Sequence, residues 1–352
     1  MQTAQTVSYA PRVTKRILIH VGPGKTGSSA LQQWLTRHTD DLQAAGVLYP
    51  PHDLDGNGVS SGNREALMDM QQVDAAFRHV VSAEKAVALR AELDASGCHT
   101  LLLSSEFFFP AIVDIQRAFP EAEFVVYVRN PIELLESHYN QTVKRHDETK
   151  PFVAPERLRV GVFAHLERLL RTKVPPRLIV RPYGDALFAG GNIVRDLLAV
   201  LDLPGGQPAP QRVNASYTLD ALEFKRHANH FSLGPLQPII DRALQAYLVG
   251  EREYSLVPPE TYAALRRTCV EQLDQLIAEQ GLAELEALRD ELARAPQRPY
   301  RTQAATREQL FSAANALEAL EPETFEHLRA RVRRTPGLEL PNPEFYERFA
   351  SA

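Results

Sequence analysis

The hydrophobic rhythm of the chain changes at about residue 235. Before it, short apolar runs are separated by longer stretches with helical periodicity; after it, the pattern is almost wholly helical. Four runs, at 16–21, 99–105, 124–128 and 177–181, are short, apolar and rich in leucine or β-branched residues. Runs of this length predict buried strands. Strands spaced by helical crossovers predict a parallel sheet flanked by helices, an α/β fold. Ligands of such sheets bind beyond the carboxyl ends of the strands. Lys25, Glu106 and Arg129 each follow a strand directly, so topology alone directs all three into one crevice.

Residues 1–15 read as a tail. The helix after the first strand carries Leu31, Trp34, Leu35 and Leu42 on its apolar side, and Gly46 ends it. Residues 50–63, PPHDLDGNGVSSGN, are dense in turn formers and are either a cover over the crevice or a disordered connection. Residues 64–95 are expected to be mainly helical. Amphipathic helices follow over 258–280 and 282–295, then a proline-containing break, APQRPYRTQ, and helices near 306–319 and 323–334. The expected organisation is a tail over 1–15, an α/β domain over 16–250 and a helical C-terminal extension over 251–352. That extension serves acceptor binding, homo-oligomerisation or a lid. Its basic patch, Arg329, Arg331, Arg333 and Arg334, reads as a solvated helix face, with an acidic glycan as the second reading.

The most specific chemistry lies where residues 16–31 read RILIHVGPGKTGSSAL. A glycine-rich turn entering a helix, with Ser28 or Ser29 as N-cap, cradles an anion: backbone N–H groups point into the turn and the helix dipole favours negative charge. A strand–turn–helix junction without a ligand has the same outline, but three glycines and a lysine are poor choices for a merely structural turn. A Walker A loop requires G-x-x-x-x-G-K-[ST]. Gly22 and Gly27 keep that spacing, yet Ser28 stands where the lysine belongs, and Lys25 lies two residues before Gly27. Neither Asp114 nor Asp196 follows a strand as a Walker B aspartate would. A second segment, 124–140, reads FVVYVRNPIELLESHYN. It places Arg129 at a strand tip, Asn130 at an N-cap, Pro131 at the first helical position and Glu133 in the first turn. Ser137 then falls about two turns into the helix.

Gly24-Lys25-Thr26-Gly27-Ser28-Ser29 resembles the 5′-phosphosulfate loop of sulfotransferases, enzymes that use 3′-phosphoadenosine-5′-phosphosulfate (PAPS) as sulfuryl donor. The shared pattern is lysine, one residue, glycine, then two hydroxyl residues. Arg129 with Ser137, an arginine after a strand and a serine eight residues on, resembles the family's 3′-phosphate motif. R-N-P followed by S-x-Y looks like the carbohydrate-sulfating branch. Residues 178–203, and Asn214-Ala215-Ser216 before a helix, are also similar to the family, so the resemblance spans roughly residues 16–235.

The resemblance implies a P-loop-like, sulfotransferase-type sheet and PAPS as co-substrate, with no metal. It implies that Gly24, Lys25, Thr26, Gly27, Ser28 and Ser29 hold the 5′-phosphosulfate and that Arg129 and Ser137 hold the 3′-phosphate. Lys25 would neutralise charge on the leaving oxygen. Glu106, at the end of the LLLSSE strand, is the first choice for the base, since desolvation beside Phe107, Phe108 and Phe109 would favour a neutral carboxyl. His20 is the second choice, although a histidine inside a strand is more often a core residue. A carbohydrate or glycolipid hydroxyl, or an amine, is the implied acceptor; the residues themselves leave sugar, lipid-linked glycan, peptide tyrosine and small metabolite open. The bland readings are an ion pair for Arg129, an ordinary helix serine for Ser137 and a capping carboxylate for Glu106; His138 is given no role. Two other functions fit the outline: a P-loop-like kinase or hydrolase, and a non-catalytic phosphoadenosine-nucleotide-binding protein.

Composition narrows the class further. Of 352 residues, 44% are hydrophobic and 24% charged, ordinary for a globular protein, and the net charge of −5 argues against a nucleic-acid partner. Two cysteines give neither a disulfide framework nor metal spacing. The N-terminal residues lack the apolar core of a signal peptide, and no apolar run has the length of a membrane span. A cytoplasmic location is the expectation.

Overall fold

A computed structural model describes residues 15–54, 60–204, 216–335 and 342–350. All but the last residue of the expected tail, the centre of the 50–63 loop, and Asn214 and Ala215 lie outside the described residues. The strands are β1 (Arg16–His20), β2 (Val47–Leu48), β3 (Met68–Val73), β4 (Ala76–Val81), β5 (Thr100–Ser104), β6 (Glu123–Arg129) and β7 (Arg177–Tyr183). The helices are α1 (Ser28–Arg37), α2 (Thr39–Ala44), α3 (Ala83–Ala95), α4 (Ile112–Ala118), α5 (Pro131–Arg145), α6 (Gly161–Leu170), α7 (Ile193–Val200), α8 (Leu219–Ala228), α9 (Gln237–Ala246), α10 (Pro259–Gln280), α11 (Glu286–Arg294), α12 (Arg307–Leu320), α13 (Pro322–Arg333) and α14 (Glu344–Ala350).

Five strands form one parallel sheet in the order β2-β5-β1-β6-β7. The protein is therefore α/β, with the four strands legible in sequence at its centre and one side. Their runs are almost continuously apolar because helices cover both faces. Along β1, side chains alternate between two cores: Leu18 packs with Leu31, Trp34 and Leu197, whereas Ile17 and Ile19 pack with Ile112, Leu166 and Leu273. The two-residue β2 carries too short a pattern to be seen; it joins the edge by pairing Val47 with Thr100.

A third core joins α8, α9, α12, α13 and α14, with Phe224, Leu310, Leu317, Phe325 and Phe349 at its centre. The cores do not divide at residue 250. Helices α10 and α11 pack on the sheet through Leu265, Leu273 and Leu288, while α8 and α9 join the later helices. Helix α5 belongs to both bodies, with Ile132 in the sheet core and Val143 in the helical one.

The mainly helical expectation for 64–95 is corrected. Only α3 is an α-helix there, and β3 and β4 form an antiparallel hairpin before it. Its turn residues Asp74 and Ala75 both take positive φ, 49° and 64°. Such a turn normally announces itself by glycine at the second position, and alanine hides it.

Candidate functional site

Strand β1 lies between β5 and β6, so the segments leaving these three strands are neighbours at the carboxyl edge of the sheet. The loop after β1 is closed by Thr26, whose Oγ1 donates to the Pro23 carbonyl at 2.5 Å. Lys25 and Gly27 take left-handed φ values of 67° and 76°. Gly27, rather than Ser28 or Ser29, is the N-cap of α1. The left-handed turn favours glycine over serine at that point, and a β-carbon on Gly27 would also be crowded, 3.1 Å from Ile193 Cδ1 and 3.2 Å from Tyr183 Cε2. Ser28 and Ser29 are instead the first helical residues. The Leu31 N–H donates to the Gly27 carbonyl at 3.1 Å, and the N–H groups ahead of it in α1 have no acceptor within the helix. Ser28 is 5% exposed, and its Oγ has no partner among the described residues. An enclosed hydroxyl beside unsatisfied N–H groups at a helix start fits an anion.

Arg129 closes the other side. Asn130 caps α5, its Oδ1 accepting from the N–H groups of Ile132 at 3.0 Å and Glu133 at 3.5 Å, with Pro131 in the first turn. That cap turns the chain so that the Arg129 guanidinium faces the loop. Its Nη1 donates to the Lys25 carbonyl at 3.1 Å, its Nη2 and Nε to Glu133 Oε2 at 3.1 and 3.4 Å, and it stands 5.3 Å over the Tyr183 ring. Ser137 is half-buried two turns into α5. Burial lowers the pKa of Lys25; Arg129 and Arg145 push it the same way, and Glu106 and Asp241 oppose them. The Arg129 guanidinium and the Glu106 carboxylate thus both act on Lys25 at this edge of the sheet.

Glu106 sits directly above the loop: a β-carbon on Gly24 would lie 3.3 Å from its Oε2. The expected desolvation of this residue is corrected, because Glu106 is exposed. Its aromatic neighbours turn elsewhere. Phe108 is in the core, Phe107 packs edge-on against His79 with Arg64 above it, and Phe109 packs against His165. Ser105 shapes the turn, donating to the Ser61 carbonyl at 2.6 Å and accepting from the Phe107 N–H at 3.2 Å. His20 lies sealed beneath the loop. Its Nδ1 is 2.8 Å from Ser104 Oγ, its ring meets Tyr127 edge-on, and burial pushes its pKa down to about 3. The described end of the 50–63 loop is anchored beside β5: Asn63 Oδ1 accepts from the Ser104 N–H at 2.8 Å, and its Nδ2 donates to the Pro50 carbonyl at 3.2 Å.

Beside His138, to which the sequence reading gives no role, three residues that it does not name bear on Lys25: Arg145 and Asp241 directly, and Tyr217 through its bond to Asp241. His138 is exposed on α5, and its pKa is lowered by partial burial and then by the Lys25 and Arg129 charges. Arg145 stands seven residues further, on the same helix face, and that spacing was the available signal. Tyr217 and Asp241 come from the helical body, where no local pattern points to this crevice. Among the described residues, no group of three or more His, Cys, Asp or Glu side chains is placed to hold a metal ion. Among them, too, no helix is long and apolar enough to cross a membrane.

No family model matches the chain, and no curated protein matches it. A solved structure of retinol dehydratase, in complex with androsterone and inactive cofactor PAP, matches at 11% identity over 93% of this chain and 82% of that one, with a TM-score of 0.14. A match this loose carries nothing about the crevice, whose meaning comes from its own residues.

Proposed function

We propose that this chain is a PAPS-dependent sulfotransferase that transfers a sulfuryl group to a hydroxyl or amine of a carbohydrate or glycolipid. One observation supports the proposal: Lys25 and Arg129 follow adjacent strands, and the Arg129 guanidinium donates to the Lys25 carbonyl at 3.1 Å. A nucleotide phosphorylated at both its 5′ and 3′ positions uses both anchors; one with only a 5′ chain leaves Arg129 idle.

PAPS supplies an activated sulfuryl group whose departure leaves growing negative charge on the bridging oxygen of the nucleotide. The backbone of Thr26 to Ser29 and the hydroxyls of Ser28 and Ser29 hold the 5′-phosphate. Arg129 and Ser137 hold the 3′-phosphate. Lys25 neutralises the leaving oxygen; a half-buried ammonium among like charges gains most from an arriving anion. Glu106, poised over Gly24, takes the proton of the acceptor.

The test is a thermal-shift comparison of 3′,5′-adenosine bisphosphate (PAP), ATP and AMP. At a hundredfold excess over Kd a ligand adds about 2.7 kcal/mol, a shift of several degrees. Selective stabilisation by PAP is expected. Stabilisation by ATP that matches or exceeds it, with magnesium dependence, would overturn the proposal in favour of a kinase or hydrolase. Lys25→Ala separates an enzyme from a binding protein: turnover disappears while part of the PAP affinity remains.

A further inference from the structure

Glu106 is held at the loop by contacts that lie outside the crevice. A β-carbon on Gly22 would lie 3.3 Å from Glu106 Cα and 3.4 Å from its Cβ, and one on Gly24 would lie 3.3 Å from its Oε2. The backbone of Glu106 therefore abuts one loop glycine, and its carboxylate lies over another. Among the described residues no hydrogen bond or ion pair fixes that carboxylate. Its direction follows from the turn that carries it, Glu106–Ala111.

That turn is gripped on its outer side. Residues 61–64 run against the end of β5. The Ser104 N–H donates to Asn63 Oδ1 at 2.8 Å, the Asn63 N–H donates to the Ser104 carbonyl at 3.1 Å, and Ser105 Oγ donates to the Ser61 carbonyl at 2.6 Å. One residue beyond Glu106, the Phe107 ring is clasped by two groups. The Arg64 guanidinium stands 4.7 Å from its centre, and the His79 ring meets it edge-on, also at 4.7 Å. Both are favourable contacts of an aromatic ring. The Arg64 side chain is 21% exposed, while the carboxylate it meets, Glu65 at 3.3 Å, is 83% exposed, so the ring is its enclosed partner. His79 lies on β4, and Val81, two residues on and on the same face, packs with Met68 in the sheet core. The hairpin is thus rooted in the core and reaches Phe107 from there. The grip brackets Glu106, with Ser104 and Ser105 held before it and Phe107 after it. With both neighbours held, the Cα–Cβ direction of Glu106 is set, and a side chain that starts against Gly22 carries its carboxylate over Gly24.

Resting on the sulfotransferase reading, we propose that Arg64, Phe107 and His79 are positioning residues that aim Glu106 at the donor bound in the loop. The hairpin of β3 and β4 is then the outer support of the proton-accepting group, because a base serves only while its geometry is held. The clasp acts through Glu106, so its effect on the loop vanishes once the carboxylate is removed.

The experiment is a double-mutant cycle on the full chain, read by calorimetry with AMP and with PAP. A carboxylate over Gly24 repels a 5′-phosphate in the loop, so Glu106→Gln should tighten both nucleotides about fivefold. Phe107→Leu and Arg64→Met release the turn, and each should give part of that gain alone. In either background Glu106→Gln should then add less than about twofold. Phe107→Tyr keeps the ring and Arg64→Lys keeps the charge over it, and both should restore the full gain. A clasp that only stabilises the fold lowers the urea midpoint without this coupling. The same gain from Glu106→Gln in every background overturns the inference, and so does no gain in the unmodified chain. PAP binding no tighter than AMP binding sinks the donor reading instead, and the cycle is then decided on AMP. Binding of neither nucleotide overturns both.

Discussion

Arg129→Ala tests the two-anchor crevice most directly. The side chain is 19% exposed and makes three polar contacts, one to the Lys25 carbonyl and two to Glu133. Removing it deletes a charge-assisted contact to the 3′-phosphate, worth about 1.5–3 kcal/mol, or roughly 10- to 150-fold in affinity. It also frees the Lys25 carbonyl, a loss of about 1 kcal/mol that acts through the loop and weakens every ligand of the loop alike. The fold loses little: Glu133 keeps Arg298 at 3.7 Å, and a partly buried i,i+4 pair at the surface contributes about 1 kcal/mol or less. The informative quantity is therefore the ratio of PAP to AMP affinity, by calorimetry on both proteins, with urea denaturation as the control. PAP binding should fall about tenfold or more relative to AMP. If both nucleotides lose the same factor, Arg129 is only a strut for the loop and the 3′-phosphate assignment is wrong.

Three further outcomes follow from the packing. Gly62→Ala should cost about 3 kcal/mol or more in urea denaturation, because φ is 66° and the new β-carbon would sit 1.7 Å from the Ser104 carbonyl oxygen; an unchanged midpoint would mean that the loop end is not held against β5. Asp196→Ala should cost about 3–5 kcal/mol, since this buried carboxylate accepts from Tyr127 at 2.9 Å, Arg181 at 2.6 and 3.0 Å and the Ala189 N–H at 2.8 Å; a loss below 1 kcal/mol in chemical denaturation would contradict that network. His20 and His227, both pushed down to about 3 by burial, bind protons in the unfolded chain before the folded one. Their stabilisation is complete above about pH 6.5 and is lost as pH falls towards 3, with a ceiling of about 5 kcal/mol each. A stability curve flat from pH 6.5 to 4 would be incompatible with two sealed neutral imidazoles.

The strands were legible because burial on both faces leaves apolar runs that need no partner to be recognised. The Asn130-Pro131 helix start was legible for a similar reason: a cap is settled within four residues of its own chain, and the structure puts both where local chemistry does. The order of strands then carried Lys25, Glu106 and Arg129 to one edge, so much of the candidate site followed from topology. Long-range packing decided the rest. Gly27 took the cap from the serines in a left-handed turn of φ 76°, at a point where Ile193 and Tyr183, remote in sequence, would crowd a β-carbon. Glu106 stayed open to solvent because its phenylalanines found other partners. Asp74-Ala75 formed a hairpin turn that alanine conceals. Arg145 met Asp241 and Tyr217 only because α5 runs from the sheet into a separate helical core. Local energies are written into neighbouring residues; which distant side chains share a wall depends on how whole elements pack, and one stretch of sequence does not contain that.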